Sequence, residues 1–217
     1  MHIDIIADVI CPWCFIGKRR LEHALALRPD LPVTLSWRAF ELNPDMPSEG
    51  ISRELYLSAK FGTAGIAERL YSNVRTAGRG VGIDFAFDRI RRTPNTLRAH
   101  RLIHLASHEG LADRVVEGLF RGYFLEGRDT GDIETLTAIA TRAGLDRAEV
   151  RRYLVSEEGT GKVRAEERRA RRLGIHAVPY FILERDYAMS GAQEPEMFLP
   201  LFDIAAGPGS RIAYAER

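Results

Sequence analysis

The sequence predicts an α/β fold in which a small strand-bearing frame is interrupted by a large all-helical insertion. Three observations predict it. Residues 1–44 read as strand, helix, strand; helical patterning then runs unbroken in character to about Leu173; and strand character returns from Ala177. The frame is therefore assigned to residues 1–44 and 174–217 and the helical insertion to 45–173. With 217 residues, 45% of them hydrophobic, the chain can fill a proper core without a covalent staple.

The first strand is expected over His2 to Val9, where Ile3, Ile5 and Ile6 supply β-branched side chains without helical periodicity. A helix follows from Pro12, because proline lacks an N–H that would be unpaired in a first turn anyway. It continues through Phe15, Ile16, Leu21, Leu25 and Leu27 and stops before Pro29. Val33, Leu35 and Trp37 alternate with Thr34, Ser36 and Arg38, which predicts a second strand over Val33 to Phe40. A strand–helix–strand unit of this kind favours two parallel strands with a right-handed crossover. Insertion helices are expected near Ser52 to Phe61, Ile66 to Ala77, Thr96 to His108, Ala112 to Phe124, Ile133 to Ala143, Arg147 to Val155 and Thr160 to Arg172. Gly110, Gly127, Gly131, Gly144 and Gly159 stand where these helices end or join. The frame resumes with strands at Ala177 to Leu183 and Tyr187 to Ser190 around the turn Glu184-Arg185-Asp186, then a helix over Pro195 to Ala205. The last ten residues are polar enough to fray.

Charge narrows the function classes. With 31 basic and 30 acidic residues the net charge is +1, so neither nucleic acid nor an anionic membrane is an expected partner. No run of eighteen apolar residues occurs. The apolar amino terminus lacks a basic leader and carries Asp4 and Asp8, unlike a signal peptide, so the expected location is the cytoplasm. The arginine run from Arg164 to Arg172, interleaved with Glu166 and Glu167, reads as a solvated helix face with local ion pairs.

The chain has two cysteines, Cys11 and Cys14, at the start of the first helix. In a reducing compartment such a pair points to catalysis or metal binding rather than to a structural cross-link. Zinc needs two further ligands, and neither another cysteine nor a histidine pair of finger-like spacing supplies them, so no metal is expected. Redox chemistry fits better. Residues three apart in a first turn share a face, and Cys11 lies where unpaired N–H groups and the helix dipole stabilise a thiolate. Cys14, one turn deeper, is suited to resolve the mixed disulfide that Cys11 forms.

At this point the sequence resembles the DsbA-like thioredoxin-fold oxidoreductases, in particular their cytoplasmic FrnE-like branch. The likeness rests on Cys11-Pro12-Trp13-Cys14 after a strand, on Phe40-Glu41-Leu42-Asn43-Pro44, on Pro94-Asn95-Thr96-Leu97 with Ala99-His100, and on Val178-Pro179-Tyr180-Phe181 followed by Ser190-Gly191-Ala192-Gln193. It implies a thioredoxin fold with a helical insertion and a cis Val178–Pro179 bond facing the cysteines. It further implies that Cys11, Cys14 and Pro179 carry the chemistry, while Pro12, Trp13, Val178, Asn95, Gly191 and Ala192 meet the substrate. Thiol or disulfide substrates are the implied partners, whether peptide, protein or glutathione. No tightly bound cofactor is implied, and glutathione is the expected small redox partner. A related branch, resembling 2-hydroxychromene-2-carboxylate isomerase and kappa-class glutathione transferase, typically has serine in place of Cys11. A glutathione-dependent isomerase or transferase is thus the alternative activity. Monomer and homodimer are both compatible with the sequence.

Other residues carry open readings. Asp8 is either a proton acceptor for Cys14 or a cap for the helix. His100, His104 and His108 recur every four residues, and a polar stripe facing solvent or a domain interface is favoured over a metal site. Trp13, Phe15, Tyr180 and Phe181 line a substrate groove or belong to the core, with Trp13 the best candidate for exposure.

Overall fold

The computed structural model describes residues 1–62 and 64–207. The expected fraying of the last ten residues lies outside the described residues. Strand β1 (His2–Ala7) leads into helix α1 (Pro12–Ala26) and strand β2 (Thr34–Ala39). The insertion region holds β3 (Ile51–Ser52), α2 (Arg53–Phe61), α3 (Ala64–Arg79), β4 (Arg92–Thr93), α4 (Leu97–His108), α5 (Ala112–Phe124), α6 (Ile133–Ala143), α7 (Arg147–Val155) and α8 (Thr160–Arg172). Strands β5 (Tyr180–Leu183) and β6 (Tyr187–Ser190) and helix α9 (Phe198–Ala205) complete the described chain.

One four-stranded sheet has the order β2-β1-β5-β6. β1 runs parallel to β2, with His2 opposite Thr34 and Ala7 opposite Ala39, and antiparallel to β5, with Ile5 opposite Phe181. β6 pairs antiparallel with β5. The parallel pairing expected of the opening unit is present. So is the thioredoxin arrangement, in which helices α2 to α8 are inserted between the second and third strands of the sheet.

Aromatic packing ties the insertion to the frame. Phe15 of α1, 1% exposed, stacks on Phe120 at 5.0 Å and meets Phe85 edge-on at 6.1 Å. Phe181 of β5 meets Phe198 of α9 at 5.1 Å. The helices begin and end where local chemistry directs. The side chains of Ser52, Asp132 and Asp146 accept the N–H groups of Leu55, Thr135 and Glu149.

Several boundaries differ from expectation. β1 ends at Ala7 rather than Val9, because the Cys11 N–H bonds back to the Asp8 carbonyl at 3.0 Å and turns the chain. β5 starts at Tyr180 rather than Ala177, since Pro179 has no N–H to give a ladder. The third helix spans Ala64–Arg79, beyond Ile66 to Ala77 at both ends. The terminal helix opens as a 3-10 turn over Pro195–Met197, and Pro200 fits within the first turn of α9. The ribbon β3–β4 has two residues in each strand, too few for a periodic signal. No helix among the described residues is long and apolar enough to cross a membrane.

Candidate active site around the cysteine pair

Cys11 is the residue preceding α1, with extended backbone (φ −91°, ψ 113°) and no side-chain cap in its place. Pro12 takes the first helical position, and the first turn carries no acidic side chain. The N–H groups of Trp13 and Cys14 lie within reach of the Cys11 sulfur, and the Cys14 N–H also donates to the Cys11 carbonyl at 3.0 Å. Both cysteines are free thiols and buried, Cys11 6% and Cys14 1% exposed.

The two sulfurs sit in opposite electrostatic settings. The Cys14 thiol donates a hydrogen bond to Cys11 and holds its pKa below the ordinary cysteine value. Burial opposes this, as does the charge of Asp8, while the N–H groups of Cys14 and Trp13 reinforce it. Burial pushes the Cys14 thiol well above the ordinary value, and the proton it shares with Cys11 adds to that. The surroundings favour ionisation of Cys11 and disfavour that of Cys14.

The facing loop carries a cis Val178–Pro179 bond. The Cys11 thiol lies 3.6 Å from the Val178 carbonyl, to which it donates when protonated. The Gly191 N–H donates to the Pro179 carbonyl at 2.8 Å, and Gly191 takes φ +81°, a conformation that favours glycine. The Ala192 carbonyl accepts the Arg20 guanidinium from α1. Cys11, Pro12, Cys14, Val178, Pro179, Gly191 and Ala192 therefore form one connected assembly.

Trp13, 39% exposed, stands at its surface. Phe15 and Phe181 are core, at 1% and 0% exposure, and do not line a groove; Tyr180 is half-buried. Asn95 is engaged elsewhere: its Nδ2 donates to the Met46 carbonyl at 2.7 Å and its Oδ1 accepts the Leu97 N–H at 3.0 Å. Its bonds organise the loop before α4 rather than the sulfurs.

Asp8 is wholly buried and does not cap α1. Its Oδ2 accepts the Leu42 N–H at 2.7 Å, and its Oδ1 lies 3.4 Å from Nε2 of His100. His100 is buried against Asp8, so the stripe does not run uniformly into solvent; His104 and His108 continue it with rings 4.9 Å apart. Burial lowers the His100 pKa, but the Asp8 carboxylate beside it, with Glu41 and Glu166, raises it overall. Glu41, 4% exposed, is pushed up to about 7 by burial, despite the opposing charge of His100.

Two residues escaped sequence reasoning. Gly17 packs under the loop: a Cβ there would lie 2.8 Å from Pro179 Cγ and 3.3 Å from Phe181 Cζ. Glu41 belongs to the buried acid group, and a lone acid between Phe40 and Leu42 at a strand end was the signal available.

The DsbA-like thioredoxin domain model matches residues 2–202. The chain belongs to the DsbA-like thioredoxin family. A probable DsbA oxidoreductase from Streptomyces coelicolor is 34% identical, with a TM-score of 0.87, covering 100% of this chain and 94% of that one. The uncharacterised YwbO of Bacillus subtilis (strain 168) is 27% identical over 204 residues, 91% of this chain and 94% of its own. Cytosolic disulfide reductase DsbM from Pseudomonas aeruginosa, solved with GSH, shares the fold at 17% identity and a TM-score of 0.64, covering 94% of this chain and 95% of its own. Within the DsbA-like family, the CXXC spacing of Cys11 and Cys14 and the thioredoxin fold mark this chain as an oxidoreductase.

Proposed function

We propose that this DsbA-like protein is a cytoplasmic thiol–disulfide oxidoreductase, with Cys11 as nucleophile, Cys14 as resolving thiol and glutathione or a cysteine-bearing peptide as partner. The observation that carries the reading is the asymmetry of the pair: Cys11 stands at a helix start, where helix-end N–H groups and the Cys14 thiol favour its ionisation, and Cys14 lies one turn deeper, where burial disfavours its own. The Cys11 thiolate attacks a substrate disulfide, forming a Cys11–substrate bond and expelling one substrate thiolate. Cys14, losing its proton, attacks the Cys11 sulfur; the Cys11–Cys14 bond forms, the mixed disulfide breaks, and the second substrate thiolate leaves. Two electrons pass to substrate, and both departing sulfurs take up protons. The reverse sequence oxidises a dithiol.

The exposed ring of Trp13 and the backbone of Val178 beside Cys11 offer an apolar and a hydrogen-bonding surface to an extended chain or to glutathione. Asp8, buried beside Cys14, serves as its proton acceptor. A glutathione-dependent isomerase would leave Cys14 without a role. The cytosolic location of DsbM supports the cytoplasm.

The test is a pair of variants. Cys11→Ser is expected to abolish disulfide exchange, and Cys14→Ser to accumulate mixed disulfides seen as mass adducts on the intact protein. Full exchange activity in Cys11→Ser overturns the mechanism. Glutathione turnover that survives loss of Cys14 moves the protein to the isomerase class.

A further inference from the structure

Asp8 has no direct outlet to water: it is 0% exposed, and its Oδ2 is engaged by the Leu42 N–H. Oδ1 is buried without a hydrogen-bond partner, and so is Nε2 of His100, 3.4 Å away. Two unsatisfied polar atoms facing each other in a protein interior are costly unless a proton or a small adjustment joins them. His100 in turn borders a cavity of about 750 Å³ between β2 and α4, whose lining includes Trp37, Ala39, Ile103, His104 and Ser107. Ser107, His108 and Gly110 on that lining are exposed, which connects the cavity with bulk water.

We infer that His100 is the proton outlet of the redox site, passing the proton released by Cys14 from Asp8 to water in the β2–α4 cavity. The inference rests on the thiol-exchange reading above and deepens it. When Cys14 attacks the mixed disulfide, its proton moves to the Asp8 carboxylate and its electron pair forms the new S–S bond. The bond between Cys11 and substrate breaks, leaving its pair on the substrate sulfur. Neutral Asp8 then gives the proton to the unprotonated Nε2 of neutral His100, the imidazolium so formed yields its Nδ1 proton to cavity water, and tautomer exchange through that water restores the Asp8–His100 pair. The groups facing His100 are suited to this. Asp8 comes from the β1–α1 turn, Glu41 from the segment after β2, and Glu166 from α8, with Arg38 paired to Glu166 at 3.1 Å. Asp113 of α5 and His104 share the cavity lining. The acids favour the imidazolium that forms on transfer, and a side chain that holds the hydrogen bond but cannot exchange a proton fails to relay.

The experiment mixes the reduced protein with an aromatic disulfide that releases one coloured thiolate when Cys11 attacks and a second when Cys14 resolves. In His100→Gln the second phase is expected to slow about tenfold or more while the first keeps its rate. Added imidazole is expected to restore the second phase in His100→Ala but not in Cys14→Ser. An unchanged second phase in His100→Gln, or slowing that imidazole does not relieve, overturns the relay while leaving thiol exchange intact. Absence of either phase in the unaltered protein defeats the thiol-exchange reading itself. If the His100 variants fail to fold, deuterated solvent decides on the unaltered protein: slowing confined to the second phase is expected, and equal effects on both phases overturn the relay.

Discussion

Cys11 and Cys14 share one helical turn, yet the chain gives one of them helix-end N–H groups and the other a dry interior. The difference follows from three residues of separation at a helix start, which the sequence already displays. The surface that meets them is less legible. Gly17 is buried in α1, where glycine carries a propensity cost. Its reason appears in the fold, where Pro179 Cγ would lie 2.8 Å from an added methyl. Alanine at Gly17 is therefore expected to push the Pro179 loop off the sulfurs, costing about 1–3 kcal/mol of stability through overpacking and slowing disulfide exchange. Denaturant unfolding together with the exchange rate measures both. A variant of unaltered stability and rate would show that the loop yields freely.

Helices α5 to α8 have the bounds that periodicity and capping predict, because the signals are local. Asp146 shows how local: its Oδ1 accepts the Glu149 N–H at 2.8 Å, and the preceding helix closes on Gly144 in the left-handed region at φ 116°. Asp146→Ala is expected to lose about 0.5–2 kcal/mol. At this chain size that is a Tm drop of roughly 2–4 °C per kcal/mol, read by calorimetry, with the exchange rate unchanged. The ribbon β3–β4 was invisible for the opposite reason. Ile51 pairs with Thr93 across the whole of helices α2 and α3, and no two-residue strand advertises such a partner.

Across the whole molecule, folding buries Asp8, Glu41 and His100 in one place, drawn from the β1–α1 turn, the end of β2 and the insertion. Glu41 is raised to about 7. A raised acid is protonated in the folded chain where the unfolded chain has already lost the proton, so stability falls as pH rises from the ordinary glutamate range to about 7. His100 acts in the same direction, since a raised histidine stabilises at low pH and loses that contribution as pH rises through its folded pKa. Glu41→Gln is accordingly expected to match the parent near pH ~4 and to exceed it by roughly 1–3 kcal/mol above pH ~8. Urea unfolding at the two ends of that range tests the sign. A gain at low pH that vanishes at high pH would contradict it.

By itself the sequence determined the frame, the inserted helices, the order of nearly every element and the place of the cysteine pair at the start of the first helix. These are set by interactions within one turn or one strand: apolar period, caps, and the position of Cys11 ahead of Pro12. Tertiary structure alone decided that Asp8 serves no cap but lies buried against His100, that Asn95 secures a loop, that Phe15 and Phe181 are core, and that Gly17 makes room for Pro179. Each of these depends on the approach of residues far apart in the chain. Burial, desolvation and steric contact are properties of the assembled neighbourhood, and a single residue's type does not contain them.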